Sequence, residues 1–240
     1  MDKGWEAYSR RTRGLIPREG GIAGVWFASL VYGLLYSVSR GIDRFDLILA
    51  VIGSILVLVL SGAAWRVTSL KRLILMIPPG LVFIYLSLST GTPGIVFLAI
   101  VSALAIITLW LKELDVIVIG GTLVAAHGGL YVVASGAPSI VYGLLPIAYT
   151  FMTVSHAGYR VTNRSRKAVV YFVLSNTVLV LFIAYSFFIG YRNLALLLVA
   201  DLIFRLMLFA TGVFPRMSPR AYGFHEAFHS LFFLALTIFI

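Results

Sequence analysis

AVVYFVLSNTVLVLFIAYSFFIG, residues 168–190, runs for 23 residues without one charged side chain. About 20 mostly apolar residues in helical conformation cross the hydrocarbon of a bilayer, so this stretch reads as a transmembrane helix. Cations bracket it, with Arg164, Arg166 and Lys167 before it and Arg192 just after. The same punctuation by charge, Pro–Gly or Gly–Ser marks eight further runs along the chain. The nine expected spans are Ile22–Ser39, Phe45–Ala64, Leu73–Ser89, Gly94–Leu111, Val116–Ala134, Ile140–Gly158, Ala168–Gly190, Leu194–Phe214 and Tyr222–Ile240. Short connections between them predict antiparallel neighbours.

Composition agrees. Of the 240 residues 60% are hydrophobic and 12% charged, with a mean hydropathy of +1.01. A water-soluble domain is nearer half apolar and about a quarter charged, which excludes that class. The absence of cysteine excludes disulfides, thiolate zinc sites, iron–sulfur clusters and c-type haem attachment. The net charge of +10 reads as topology and not as nucleic-acid affinity, so no nucleic-acid partner is expected.

Cytoplasmic loops of membrane proteins carry the Lys/Arg excess, which tests the count of spans. With the N-terminus inside, fifteen of the nineteen cations fall on the cytoplasmic side. Only Arg40, Arg44 and Arg192 fall outside, and Arg205 lies within the eighth span. One span too many or too few would swap every later loop and blur that asymmetry. The first apolar run is too long for a signal-peptide core and lacks a small-residue cleavage pattern, so residues 1–20 are expected to stay as a basic cytoplasmic segment. The expectation is an all-α, multi-pass integral protein of the cell membrane with nine transmembrane helices. Its N-terminus is cytoplasmic, its C-terminus outside, and residues 21–240 form a single transmembrane domain.

Two cytoplasmic loops resemble each other. Trp65-Arg66-Val67-Thr68-Ser69-Leu70-Lys71-Arg72 follows the second span, and Tyr159-Arg160-Val161-Thr162-Asn163-Arg164-Ser165-Arg166-Lys167 follows the sixth. Each is aromatic, then Arg-Val-Thr, then small and polar, then basic. Four spans apart on one side, they suggest a parallel repeat of four-helix units. Nine helices with special loops after the second and sixth resemble the UbiA-type prenyltransferases, in which aspartate-rich motifs in those loops hold magnesium and the prenyl diphosphate. Neither loop here contains Asp or Glu. Magnesium needs carboxylate oxygens, so the likeness carries a layout and not prenyl transfer. Arg forks could instead grip an anionic head group directly, which makes Arg66, Lys71, Arg160 and Arg164 candidate contacts.

Pro17-Arg18-Glu19-Gly20-Gly21 is similar to the Pro-basic-Glu-His-Gly opening of the uncharacterised YwiC-like membrane family, with Gly20 in place of the histidine. Pro219-Arg220-Ala221-Tyr222-Gly223-Phe224-His225-Glu226 is similar to that family's Pro-basic, Gly-x-x-Glu approach to its last helix. The resemblance directs attention to Glu19 and Glu226 and implies no particular activity.

Ionisable groups within spans cost several kcal/mol unless paired or hydrated, so each marks a candidate site. Asp201 and Arg205 stand one helical turn apart on span eight and can pair. His127 lies near the middle of span five beside Gly128 and Gly129, and a haem there would need a second histidine at equal depth. The sharpest motif is His225-Glu226-Ala227-Phe228-His229, an H-E-x-x-H. On a helix its histidines share a face and can bind zinc while the glutamate serves as general base. His156, at the end of span six on the same side, is the candidate third ligand.

Three functional expectations follow. The first is a protein that binds a membrane lipid or an isoprenoid with an anionic head in a cytoplasm-facing cavity or polar cluster, with Asp201 and Arg205 among its binding residues. The second is a zinc-dependent membrane hydrolase with His156, His225 and His229 as ligands and Glu226 as catalytic base. The third is a membrane subunit of a respiratory complex.

Overall fold

A computed structural model of the chain describes residues 20–41, 43–64, 69–108, 114–161 and 166–240. Among them are eleven α-helices and a terminal 3-10 turn, and no strand. The helices are α1 (Gly20–Ser39), α2 (Arg44–Ala64), α3 (Ser69–Ser89), α4 (Thr92–Ile107), α5 (Leu114–Val124), α6 (Ala126–Ala134), α7 (Ile140–Val161), α8 (Arg166–Phe188), α9 (Arg192–Ala210), α10 (Val213–Arg216) and α11 (Pro219–Leu236). The basic N-terminal segment and its Pro17–Gly21 motif lie outside the described residues except for its last two glycines. Arg66 and Arg164 lie outside them as well.

The nine apolar runs become helices close to where the sequence places them, with two corrections: span eight ends at Ala210 and turns at Gly212 before α10, and span five is divided. Span five is two helices, α5 and α6, interrupted at Ala125. The Ala125 amide turns back to Thr122 O at 3.1 Å, and the Ser29 hydroxyl of α1 donates to Ala125 O at 2.7 Å. The break is thus held by a side chain from another helix. Glycine pairs at 120–121 and 128–129 lower helix propensity on both sides of it.

Helix α6 is the central pillar: every residue from Ala126 to Val133 is buried, and it packs on α1, α2, α3, α4 and α7. Small residues permit this. A Cβ on Gly128 would strike the Ser29 carbonyl, and one on Gly129 the Gly143 carbonyl of α7. The first and last long helices, α1 and α11, also pack closely, while α7 takes α5, α6, α8 and α11 around it.

Pro146 stands inside α7 and has no N–H for the Tyr142 carbonyl one turn back. The Tyr32 hydroxyl donates to that carbonyl instead, at 3.1 Å. Helix α11 starts at Pro219, with Ser218 as its N-cap accepting from the Ala221 amide at 3.2 Å. Gly190, with φ at 89°, supplies the left-handed turn that separates α8 from α9.

Among the described residues three stretches are long and apolar enough to cross a membrane: Ile140–Tyr159, Arg166–Phe188 and Arg192–Ala210. Shorter apolar helices cover Gly24–Ser39, Ile74–Ser89, Thr92–Ile107 and Val118–Ala134. The three long ones differ in surroundings. In its most apolar window α7 is 83% buried inside the protein, whereas α8 is 17% buried and turns Val170, Val173, Leu181 and Phe187 outward.

Candidate functional site

Three faces meet below the N-terminal turns of α11. Helix α7 contributes Tyr149, Thr153 and His156, at i, i+4 and i+7 on one side of a buried helix. Asp201 and Arg205 come from α9, and Glu226, His229 and Ser230 from α11. All eight are buried.

Arg205 is the hub. Its Nε donates to Asp201 Oδ1 at 3.0 Å, and its Nη1 donates to Glu226 Oε2. The ring of Tyr149 lies 5.7 Å from the guanidinium carbon, and its hydroxyl is in electrostatic contact with Asp201. Each carboxylate doubles the use of one oxygen. Asp201 Oδ1 also accepts from His229 Nε2, and Glu226 Oε2 also accepts from the Thr153 hydroxyl at 3.0 Å. Thr153 and Ser230 hydroxyls are 3.4 Å apart. With neutral imidazoles, two carboxylates against one guanidinium leave the cluster one negative charge in excess.

The histidines are placed by stacking. His229 lies between Phe204, 5.2 Å away and 7° from parallel, and His225, 5.7 Å away and 17° from parallel. His225 also meets the edge of Phe214 at 5.1 Å. His156 stacks on Phe172 of α8 at 4.6 Å, and its Nε2 is 3.0 Å from Asn176 Nδ2.

Several buried polar atoms have no hydrogen-bonding partner among the described residues, including Arg205 Nη2, Glu226 Oε1 and His156 Nδ1. His156 stands one turn from Thr153, which donates to Glu226, and Glu226 is bonded to Arg205, so the three groups belong to one site. Each orphaned group costs about 1–3 kcal/mol in a protein interior, which requires something to satisfy it.

The structure bears on each expected site residue. Asp201 and Arg205 pair, and Glu226 and His229 join them. The structure does not bring His156, His225 and His229 together as a metal site: among the described residues no group of three or more His, Cys, Asp or Glu could hold a metal ion. The imidazoles have separate commitments, His229 to Asp201, His156 to Asn176, and His225 to the aromatic edge of Phe214. Glu226 is held by Arg205 and Thr153. Of the expected anionic-head contacts, Arg66 and Arg164 lie outside the described residues, and only the helical backbone of Lys71 and Arg160 is described. His127 sits apart from the other histidines, between Trp26 and Tyr131, with Nδ1 2.5 Å from Val124 O.

Sequence reasoning missed Tyr149, Thr153, Asn176 and Ser230. For Asn176 a signal existed, since it is the one carboxamide in the apolar stretch 168–190. No protein-family model, curated protein or solved structure matches this chain.

Proposed function

We propose that the chain is a nine-span, multi-pass membrane protein with a cytoplasmic N-terminus, and that its polar cluster at α7, α9 and α11 binds the polar head of a lipid-like molecule. The carrying observation is the set of orphaned buried atoms, Arg205 Nη2, Glu226 Oε1 and His156 Nδ1, inside a bundle whose outer faces are apolar. The outward side chains of α8 argue for hydrocarbon around it, because that helix would expose a nearly all-apolar face to water. An ionic cluster inside such a bundle is more costly than well-packed apolar residues of similar volume, which favours a role in binding over one in stability.

Both families suggested by sequence likeness, YwiC-like and UbiA-like, are compatible with this reading. The anionic-head version finds less support. Arg205 is already neutralised by two carboxylates, so an anion entering the cluster would meet Asp201 and Glu226. An anionic head would instead depend on Arg66, Lys71, Arg160 and Arg164 at the cytoplasmic loops.

Native mass spectrometry of the full chain released from mild detergent tests the reading. A co-purified amphiphile should remain bound to wild type and be lost from Glu226→Gln, with Arg66→Ala and Arg160→Ala unchanged. Retention that falls only in the two arginine variants would move the site to the loops, and wild type without any adduct would refute it.

A further inference from the structure

The hydrogen-bonding pattern of the cluster defines what its occupant must offer. Asn176 Nδ2 donates to the Phe172 carbonyl at 2.7 Å, and a carbonyl can only accept. That fixes which end of the Asn176 amide carries the NH₂ group. The same nitrogen lies 3.0 Å from His156 Nε2, so Nε2 is the acceptor. A neutral imidazole accepting at Nε2 carries its proton on Nδ1. The unpartnered His156 Nδ1 is therefore a donor, on a side chain only 2% exposed. Arg205 Nη2 is a second unpartnered donor, and Glu226 Oε1, on a fully buried side chain, is an unpartnered acceptor.

The open atoms of His156, Arg205 and Glu226 are two donors and one acceptor, which match one hydroxyl group with its two lone pairs and one hydrogen. Asp201 Oδ2 and the Tyr149 hydroxyl are open as well, and these two residues lie against each other. A carboxylate or phosphate would add to the cluster's one excess negative charge and confront Asp201 and Glu226. An ammonium suits the charge but has no lone pair for the two open donors, His156 Nδ1 and Arg205 Nη2. An uncharged head with a lone pair avoids both conflicts.

A lateral route exists for such a molecule. Helix α9 packs along α8 but makes little backbone contact with α11, and the two are joined mainly by side chains: Arg205 to Glu226, Asp201 to His229, and Phe204 on the His229 ring. Phe204 on α9 is exposed and stacks on the His229 ring of α11 at this seam. An alkyl or isoprenoid tail can lie there among apolar side chains while its head reaches the cluster.

We infer that the site receives the hydroxyl of an uncharged amphiphilic alcohol, with His156 Nδ1 and Arg205 Nη2 donating to its oxygen and Glu226 Oε1 accepting its hydrogen. This rests on the reading that the cluster binds an amphiphile's head.

The test uses the full chain in lipid nanodiscs and a long-chain primary alcohol carrying a diazirine in its tail. Photolabelled peptides are mapped, and the unlabelled alcohol competes against the carboxylic acid and the amine of equal length. Labelling should fall on α9 and α11 around Phe204 and His229. The alcohol should compete at least about tenfold better than the acid or amine, the scale expected of one well-placed hydrogen bond to a charged group. Glu226→Gln should lose most of that preference, because its amide puts a third donor where the hydroxyl hydrogen needs an acceptor. The wild-type competition decides the matter even if that variant fails to fold. Equal or better competition by the acid or the amine would overturn the hydroxyl assignment and leave amphiphile binding intact. Specific labelling by none of the three probes, each made in diazirine form, would overturn both.

Discussion

Arg205 of α9 donates to Glu226 of α11 across a seam in which the two helices make little backbone contact. The same guanidinium bonds Asp201 one turn below it, so a single side chain holds two buried carboxylates and ties the penultimate long helix to the last. Replacing Arg205 alone leaves both acids buried without a counter-charge. Arg205→Met should destabilise the protein by about 3–5 kcal/mol, and the triple variant with Asp201→Leu and Glu226→Leu should recover part of that loss. Thermal unfolding in detergent checks both, and a neutral single variant would show that the acids are hydrated or protonated.

How much of this was legible beforehand differs from element to element. The apolar runs reveal their own helices, because a bilayer-length stretch such as 168–190 has few other structures open to it. The break at Ala125 is invisible in span five itself, since the Ser29 hydroxyl that holds it comes from 96 residues away. Asp201 and Arg205 can be paired from their spacing, but their union with Glu226 and His229 is tertiary. The same holds for the H-E-x-x-H motif. Its spacing puts His225 and His229 on one face, but that the carboxylate of Asp201 reaches His229 from another helix is tertiary.

That difference between the two histidines can be measured. His229→Ala removes a buried hydrogen bond to a carboxylate and should cost about 1.5–3 kcal/mol, whereas half-buried His225→Ala should cost less than about 1 kcal/mol. Neither variant, nor a chelator, should alter a zinc-dependent stability. Equal losses in the two variants, with a chelator lowering the wild-type Tm, would restore the zinc reading.

Thr153 provides a smaller probe of the same carboxylate. Thr153→Val keeps the shape but removes the hydroxyl that donates to Glu226 Oε2 at 3.0 Å. A loss of about 1.5–3 kcal/mol is expected for a hydrogen bond to a charged group. Unchanged thermal stability would mean that Glu226 has another donor in its place.

Glycines near the pillar and away from it should respond in opposite directions. A Cβ at Gly128 meets the Ser29 backbone, so Gly128→Ala should cost at least about 1–3 kcal/mol through overpacking. Gly80 lies inside α3 with nothing within 4 Å of a new Cβ, and Gly80→Ala should stabilise by up to about 1 kcal/mol. Similar effects at both positions would contradict the close approach of α1 and α6.

The lack of cysteine makes topology open to single-cysteine mapping. In intact cells Asp43→Cys and Ala137→Cys should react with a membrane-impermeant maleimide, and Met217→Cys should react only after permeabilisation. The reverse pattern would invert the charge-based orientation.

The central claim is that Glu226, Arg205 and His156 together hold the head of a molecule that reaches them between α9 and α11. High-resolution cryo-electron microscopy of the full chain in a nanodisc, with an antibody fragment as fiducial, addresses it most directly. The claim requires a density touching all three side chains that continues as a tail past Phe204. A lone water-sized peak at Glu226 Oε1, with the seam closed by protein side chains, would contradict it.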